Sequence, residues 1–153
     1  MSRSKVRLLH GPFNLVKNYE FIEHTADIGI RVKGDDLKGL FINAALAMFE
    51  IIAEKQKTES TRQVKAKIEQ EADNLEELFI NWLNELLSLS ATKELIFSEF
   101  KIDKLDENSL KAIVTGNDIK NYKVNTEIKA ATYHQLKIQE SESGWQAEVI
   151  FDV

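Results

Sequence analysis

"ADIGIRVKGDDLKGLFINAALAMFEII", Ala26–Ile52, changes period part-way along. Its first part alternates. Ala26, Ile28, Ile30 and Val32 fall on one side, and Asp27, Gly29, Arg31 and Lys33 on the other. That is the pattern of a half-buried strand. Gly34-Asp35-Asp36 then offers a turn and a helix N-cap. From there Leu37, Leu40, Phe41, Ala44, Ala45, Met48, Ile51 and Ile52 recur at helical spacing as one broad apolar stripe. A strand, a tight turn and an amphipathic helix in succession predict a helix folded back onto a sheet.

The same order returns downstream. Val64, Ala66 and Ile68 alternate in "RQVKAKIEQ" (62–70), and Asp73 or Asn74 can cap a second helix. Its apolar face is Leu75, Leu78, Phe79, Trp82, Leu83, Leu86 and Leu87. Upstream, Tyr19 to Lys33 reads as one extended segment, and "EKQKTEST" (54–61) reads as a polar connector. Strands are expected at 95–103 and 109–117, joined around "LDEN" (105–108). In "EIKAATYHQLKIQ" (127–139), Ile128, Ala130, Thr132, His134, Leu136 and Ile138 form one face. Lys129, Ala131, Tyr133, Gln135 and Lys137 form the other. "SESG" (141–144) reads as a hairpin turn before a last strand, "WQAEVIFDV". Strands and helices do not alternate strictly, which argues against a doubly wound sheet. The expected fold is α+β: a two-layer sandwich, with a mixed sheet of about six strands and two amphipathic helices packed on one face.

The 153 residues suit one domain with a core of its own. Residues 1–18 read as a basic flexible leader and 19–153 as the domain. Cysteine is absent, which excludes disulfides and thiolate metal ligands. No apolar run has membrane-spanning length, and the start lacks the apolar core of a signal peptide. A cytoplasmic protein that neither binds nor crosses a membrane is expected. Net charge is −5. Arg3, Lys5, Arg7 and Lys17 give residues 1–17 a charge of +4, and subtracting it leaves −9 for the rest. Such a body repels a phosphate backbone, so direct nucleic-acid binding by the folded part is not expected.

The sequence contains no P-loop, dinucleotide-binding fingerprint, H-E-x-x-H or nucleophile elbow. His134, on the apolar side of its alternation, reads as a hydrogen-bonded core histidine. The carboxylates are more informative. Asp27 leaves the apolar face of its strand, and Asp152 directly precedes Val153, the last residue. If the first and last strands are neighbours, Asp27, Asp152 and the Val153 carboxylate converge. That oxygen cluster suits Ca²⁺ or Mg²⁺. His24, three residues before Asp27, would widen the choice to Zn²⁺ or Mn²⁺. Lys129 would offset charge there or hold a phosphate oxygen. Two solvated acids and a frayed end remain an open alternative from the residues alone.

"YEFIEHTADIGIRVKG" (19–34), "LFINAALAMFEII" (40–52), "NLEELFINWLNELL" (74–87), "EIKAATYHQLKI" (127–138) and "GWQAEVIFDV" (144–153) occur in that order. Together they resemble the archease family from about Tyr19 to Val153. "HTADIG", the "EIKA" and "TYH" pair and the penultimate aspartate are the most specific. The resemblance implies an accessory protein, not an enzyme, that activates an RtcB-type RNA ligase in tRNA splicing and RNA repair. It would promote metal- and GTP-dependent guanylylation and multiple turnover of that ligase through a transient, electrostatic complex. It also implies a divalent cation, Ca²⁺ in the family pattern, held by Asp27, Asp152 and Val153, with Lys129 in the same region. Ala130-Ala131 stands where many members have Ala-Val, a loss of packing and not of a ligand. The competing readings are a small metal-dependent hydrolase or nucleotide-acting enzyme, and a general chaperone or interaction module.

Overall fold

The structure is a computed structural model that describes residues 18–23, 27–56 and 62–153. Among these residues the chain forms nine strands and two α-helices. In chain order they are β1 (Tyr19–Ile22), β2 (Ile28–Gly34), α1 (Leu37–Ile52), β3 (Ala53–Lys55), β4 (Gln63–Glu71), α2 (Leu75–Lys93), β5 (Leu95–Leu105) and β6 (Ser109–Asp118). A single 3-10 turn (Ile119–Asn121) follows, then β7 (Tyr122–Val124), β8 (Ala130–Ser141) and β9 (Gly144–Asp152).

The α+β class stands, and the sheet is subdivided. One sheet has the order β1-β2-β9-β8, a second β4-β6-β5, and β3 pairs with β7. Every pairing is antiparallel, where a single mixed sheet of about six strands was expected. Three-residue strands such as β3 and β7 are too short to show a period, so the connector expected at 54–61 begins instead as a strand.

The supposed single extended segment is a hairpin. Tyr19 faces Val32, Phe21 faces Ile30 and Ile22 faces Gly29. The apolar parity betrays the break: Tyr19 and Phe21 are odd, whereas Ile28, Ile30 and Val32 are even. An alternation that changes phase cannot keep one face across an unbroken strand. Asp27 therefore stands where the chain comes out of the hairpin tip into β2.

The core lies between the helices and the inward faces of the two larger sheets. Ile30 faces Val149, Val32 faces Ala147 and Ile28 faces Phe151, which puts apolar pairs in register beneath α1. In the other sheet Ile68 faces Ala112, and Ala112 faces Ile102. Phe41 of α1 meets Phe79 and Trp82 of α2. The Trp82 Nε1–H donates to the Phe41 carbonyl at 2.9 Å, which ties the helices together at their crossing. Tyr19 reaches across to Glu50 of α1 at 3.3 Å. Burial first, and the Glu50 charge second, push its phenol above the usual value.

Both helix starts are capped as expected. The Asp36 side chain accepts from the Gly39 N–H at 2.7 Å, and that of Asn74 accepts from the Glu77 N–H at 2.8 Å. Each satisfies one of the donors that a helix N-terminus leaves without a partner. Asn74→Ala is expected to lower stability by ~1 kcal/mol in urea titration, with an unchanged denaturant slope. In the β5–β6 turn Asp106 accepts from the N–H groups of Asn108 and Ser109, both at 2.8 Å. The Asn108 bond first, and the Ser109 hydroxyl next, hold its carboxyl below the usual range.

Candidate functional site

The β2–β9 ladder closes at Ile28 opposite Phe151. One register step further lie Asp27 and Asp152. On the other side of β9, Ala130 of β8 faces Asp152, and the Lys129 N–H donates to the Asp152 carbonyl at 2.8 Å. The middle strand thus presents Asp152 between Asp27 and the Lys129 segment, at one end of the four-stranded sheet. Phe151 is buried in the core, so strand alternation turns the exposed Asp152 to the outward face. Val153 follows at the tip, 37% exposed.

Further along the same outward face runs a row of three charges. Arg31 lies opposite both Glu20 and Glu148. Its Nε donates to Glu148 at 2.9 Å and its other arm to Glu20. The Glu148 bond first, and the Glu20 bond second, raise the guanidinium pKa further. Arg31 sits four residues along β2 from Asp27, ~13 Å of strand. At that distance it is a partner for the two glutamates and too remote to neutralise the sheet end.

The donors at that end are all oxygens. Two aspartate side chains and solvent are donors of the kind hard cations take, which bind six to eight oxygen ligands as Ca²⁺ or keep several waters as Mg²⁺. Among the described residues no group of three or more His, Cys, Asp or Glu side chains could hold a metal ion. The two aspartates alone fall short of such a group, so an ion here would need further oxygen donors. His24 lies outside the described residues, and so do His10 and the leader to Lys17.

β8 differs most from its expected pattern. Ala130, Ala131 and Thr132 pair with Asp152, Phe151 and Ile150, and the register resumes only at Lys137 opposite Glu148. Four residues, Tyr133 to Leu136, thus stand opposite Val149 alone, and Gln135 takes φ 53°. This bulge changes which side each residue faces. Ala131 is buried, although its alternation put it on the outer side. His134 is exposed, so it is not the core histidine its alternation suggested. Tyr133 is 56% exposed. Burial first, and Glu77 second, raise its phenol pKa. Thr132 anchors the start of the bulge: its hydroxyl donates to the Ile150 carbonyl at 2.8 Å and accepts from the His134 N–H at 3.3 Å.

One residue at this end escaped the sequence reading. Asn84, on α2, accepts from the Ala131 N–H at 2.7 Å and donates to the Ala131 carbonyl at 3.1 Å. Asn is a poor helix-interior residue unless its amide has work elsewhere. An asparagine beside the apolar stripe at Leu83 was the available signal.

A two-layer α+β protein whose first hairpin and last strand share an acidic sheet end is the class these features define. Residues 19–153 match the Archease protein family (MTH1598/TM1083), and the chain belongs to that family. It is 39% identical over 145 residues to the protein archease of Methanosarcina acetivorans, covering 90% of this chain and 97% of the relative. It is 37% identical to that of Pyrococcus furiosus, covering 90% and 100%. Among solved structures it resembles the solution structure of protein 1598 of Methanobacterium thermoautotrophicum, with a TM-score of 0.66, 33% identity and coverage of 90% of this chain and 99% of that one. It also resembles a crystal structure from Thermotoga maritima described as an archease and possible chaperone. That match has a TM-score of 0.64, 26% identity and coverage of 86% and 94%. Among the described residues, no helix is long and apolar enough to cross a membrane.

Proposed function

We propose that the chain is a non-catalytic activating partner of an RtcB-type RNA ligase, serving tRNA splicing and RNA repair in the cytoplasm. It would promote metal- and GTP-dependent guanylylation of the ligase and its multiple turnover. Family membership supports this reading. The observation that carries the mechanism is the register that puts Asp27 and Asp152 one step beyond Ile28 and Phe151, with Lys129 bonded to the Asp152 carbonyl.

In this reading Asp27, Asp152 and the Val153 carboxylate hold a divalent cation, Ca²⁺ or in its place Mg²⁺, Mn²⁺ or Zn²⁺. When bound, the cation supplies positive charge that neutralises phosphate oxygens at the ligase's reacting centre. The chain's own residues do the rest. Asp152 and Asp27 orient the acidic tip toward a basic cleft, and Lys129 meets a triphosphate oxygen or a partner carboxylate. A body of charge −9 outside residues 1–17 suits a cleft built for RNA and GTP, and this complementarity speeds a transient encounter. RNA contact is left to the ligase.

An independent hydrolase is the weaker reading. At the sheet end itself Lys129, with His24 as a further candidate, is the group put forward for acid–base work, and a catalyst needs such a group within hydrogen-bond reach of its substrate. The deciding experiment is a guanylylation assay of the cognate ligase, with and without this protein, across several divalent metals. The expected result is metal-dependent stimulation of the ligase and no turnover of GTP or RNA by this chain alone. Turnover without the ligase would establish the enzyme instead.

A short peptide fused after Val153 separates the ligand role from a general chaperone role. It displaces the terminal carboxylate while leaving the exposed tip unburied. Stimulation is expected to fall by ~10-fold or more, with the melting temperature unchanged. Full stimulation by the extended chain would favour a module that binds through a helix face.

A further inference from the structure

Only three consecutive register pairs, Ala130 with Asp152, Ala131 with Phe151 and Thr132 with Ile150, hold the start of β8 to β9. The preceding residues 125–129 are not in a strand, and the bulge follows immediately. β8 is also the outer strand of its sheet, with a neighbour on one side only. In an antiparallel pair, residues alternate between facing the partner and facing away. Ala131 faces away, because both its N–H and its carbonyl bond to Asn84. A primary amide has an acceptor oxygen and a donor nitrogen side by side. It therefore replaces, at one residue, the strand that this edge lacks.

We infer that Asn84 is a positioning residue for the sheet end that carries Asp152 and Lys129. This rests on the metal-site reading above and assigns the supporting contact to α2. Lys129 is two residues from the clamped Ala131, and the Lys129 N–H holds the Asp152 carbonyl. Three ladder pairs bounded by irregular chain on both sides slip or fray easily. Two bonds from a helix anchored in the core set their position. Leucine at 84 would supply neither bond. Aspartate would keep the acceptor for the Ala131 N–H and set an oxygen against the Ala131 carbonyl. Asn84 touches no ion itself, since both its polar atoms are used on Ala131.

The test is calcium chloride binding by calorimetry on the full chain, with amide hydrogen exchange at Ala131 and thermal melting alongside. Wild type, Asn84→Leu and Asn84→Asp are compared, with Asn74→Ala as a control that weakens the same helix away from the site. Asn84→Leu is expected to weaken calcium binding by ~10-fold or more, the range for loss of an outer-shell partner, and to speed Ala131 exchange at least as much. Asn84→Asp keeps the N–H bond and is expected to fall between Asn84→Leu and wild type in both readouts. Saturating calcium restores full ligase stimulation to both variants. Asn74→Ala lowers the melting temperature and leaves the calcium affinity alone. Should Asn84→Leu melt too early to assay, the comparison rests on Asn84→Asp. Variants that lose melting temperature yet bind calcium as wild type does would overturn the inference and leave the metal site standing. A wild-type chain that binds none of calcium, magnesium, manganese and zinc overturns the metal-site reading, and this inference with it.

Discussion

Asp152→Ala is expected to abolish stimulation of ligase guanylylation, in a protein that folds and melts as wild type does. Asp152 is exposed, and its side chain turns away from the buried Phe151, so its loss removes no packing. Surface substitutions of this kind stay within ~0.5 kcal/mol. Two solvated carboxylates on adjacent strands repel each other only weakly in water, so the cation-free protein tolerates the pair and gains little when one is removed. In the proposed metal-site reading the ion makes the difference: with one of the two aspartates gone, too few oxygen ligands would remain to hold a hard cation. The expected loss exceeds the ~10–100-fold that outer-shell substitutions cost. Asp27→Ala is expected to match it. A second readout is thermal: calcium at ~100 times its dissociation constant should stabilise wild type by ~2.7 kcal/mol and the variants not at all. Guanylylation at the wild-type rate with Asp152→Ala would end the metal-tip mechanism, while family membership would remain.

The largest effect on stability is expected at Trp82. Its ring is fully buried, lies edge-on to Phe100 of β5 at 6.1 Å between centroids, and sits 6.5 Å from Phe41 of α1. Its Nε1–H spends its one donor on the Phe41 carbonyl. Trp82→Ala is expected to cost ~3–5 kcal/mol, from lost transfer energy and the cavity left where both helices meet β5. That is a large share of the ~5–15 kcal/mol that holds a domain folded. Trp82→Phe keeps much of the ring and loses the N–H bond, and should cost distinctly less. Urea titrations of the two variants measure the difference. A loss below ~1 kcal/mol for Trp82→Ala would contradict the packing described here.

Legibility in the sequence followed the range of the physics. The stripes from Leu37 and Leu75, the Asp36 and Asn74 caps, and the turns at 105–108 and 141–144 depend on residues a few positions apart, and each lies where it was read. The hairpin at residues 19–34 was missed because alternation was followed without its phase. β3 and β7 were missed because three residues have no period. His134 and Ala131 were assigned to the wrong sides because the bulge at 133–136 interrupts a strand whose composition looks continuous. Asn84 reads in sequence as one polar residue beside a helix stripe. Its bonds go to a strand that begins dozens of residues later.

By itself the sequence determined which faces are apolar, where the helices start, that thiolate chemistry is excluded, and that acids stand at the beginning of one strand and the end of another. Only the tertiary structure decided that those two strands are neighbours, with Ile28 opposite Phe151 and Ala130 opposite Asp152. Alternation says which side of a strand is buried. Which strands pair, and in what register, is chosen by many weak cross-strand contacts that exist only once the core has closed.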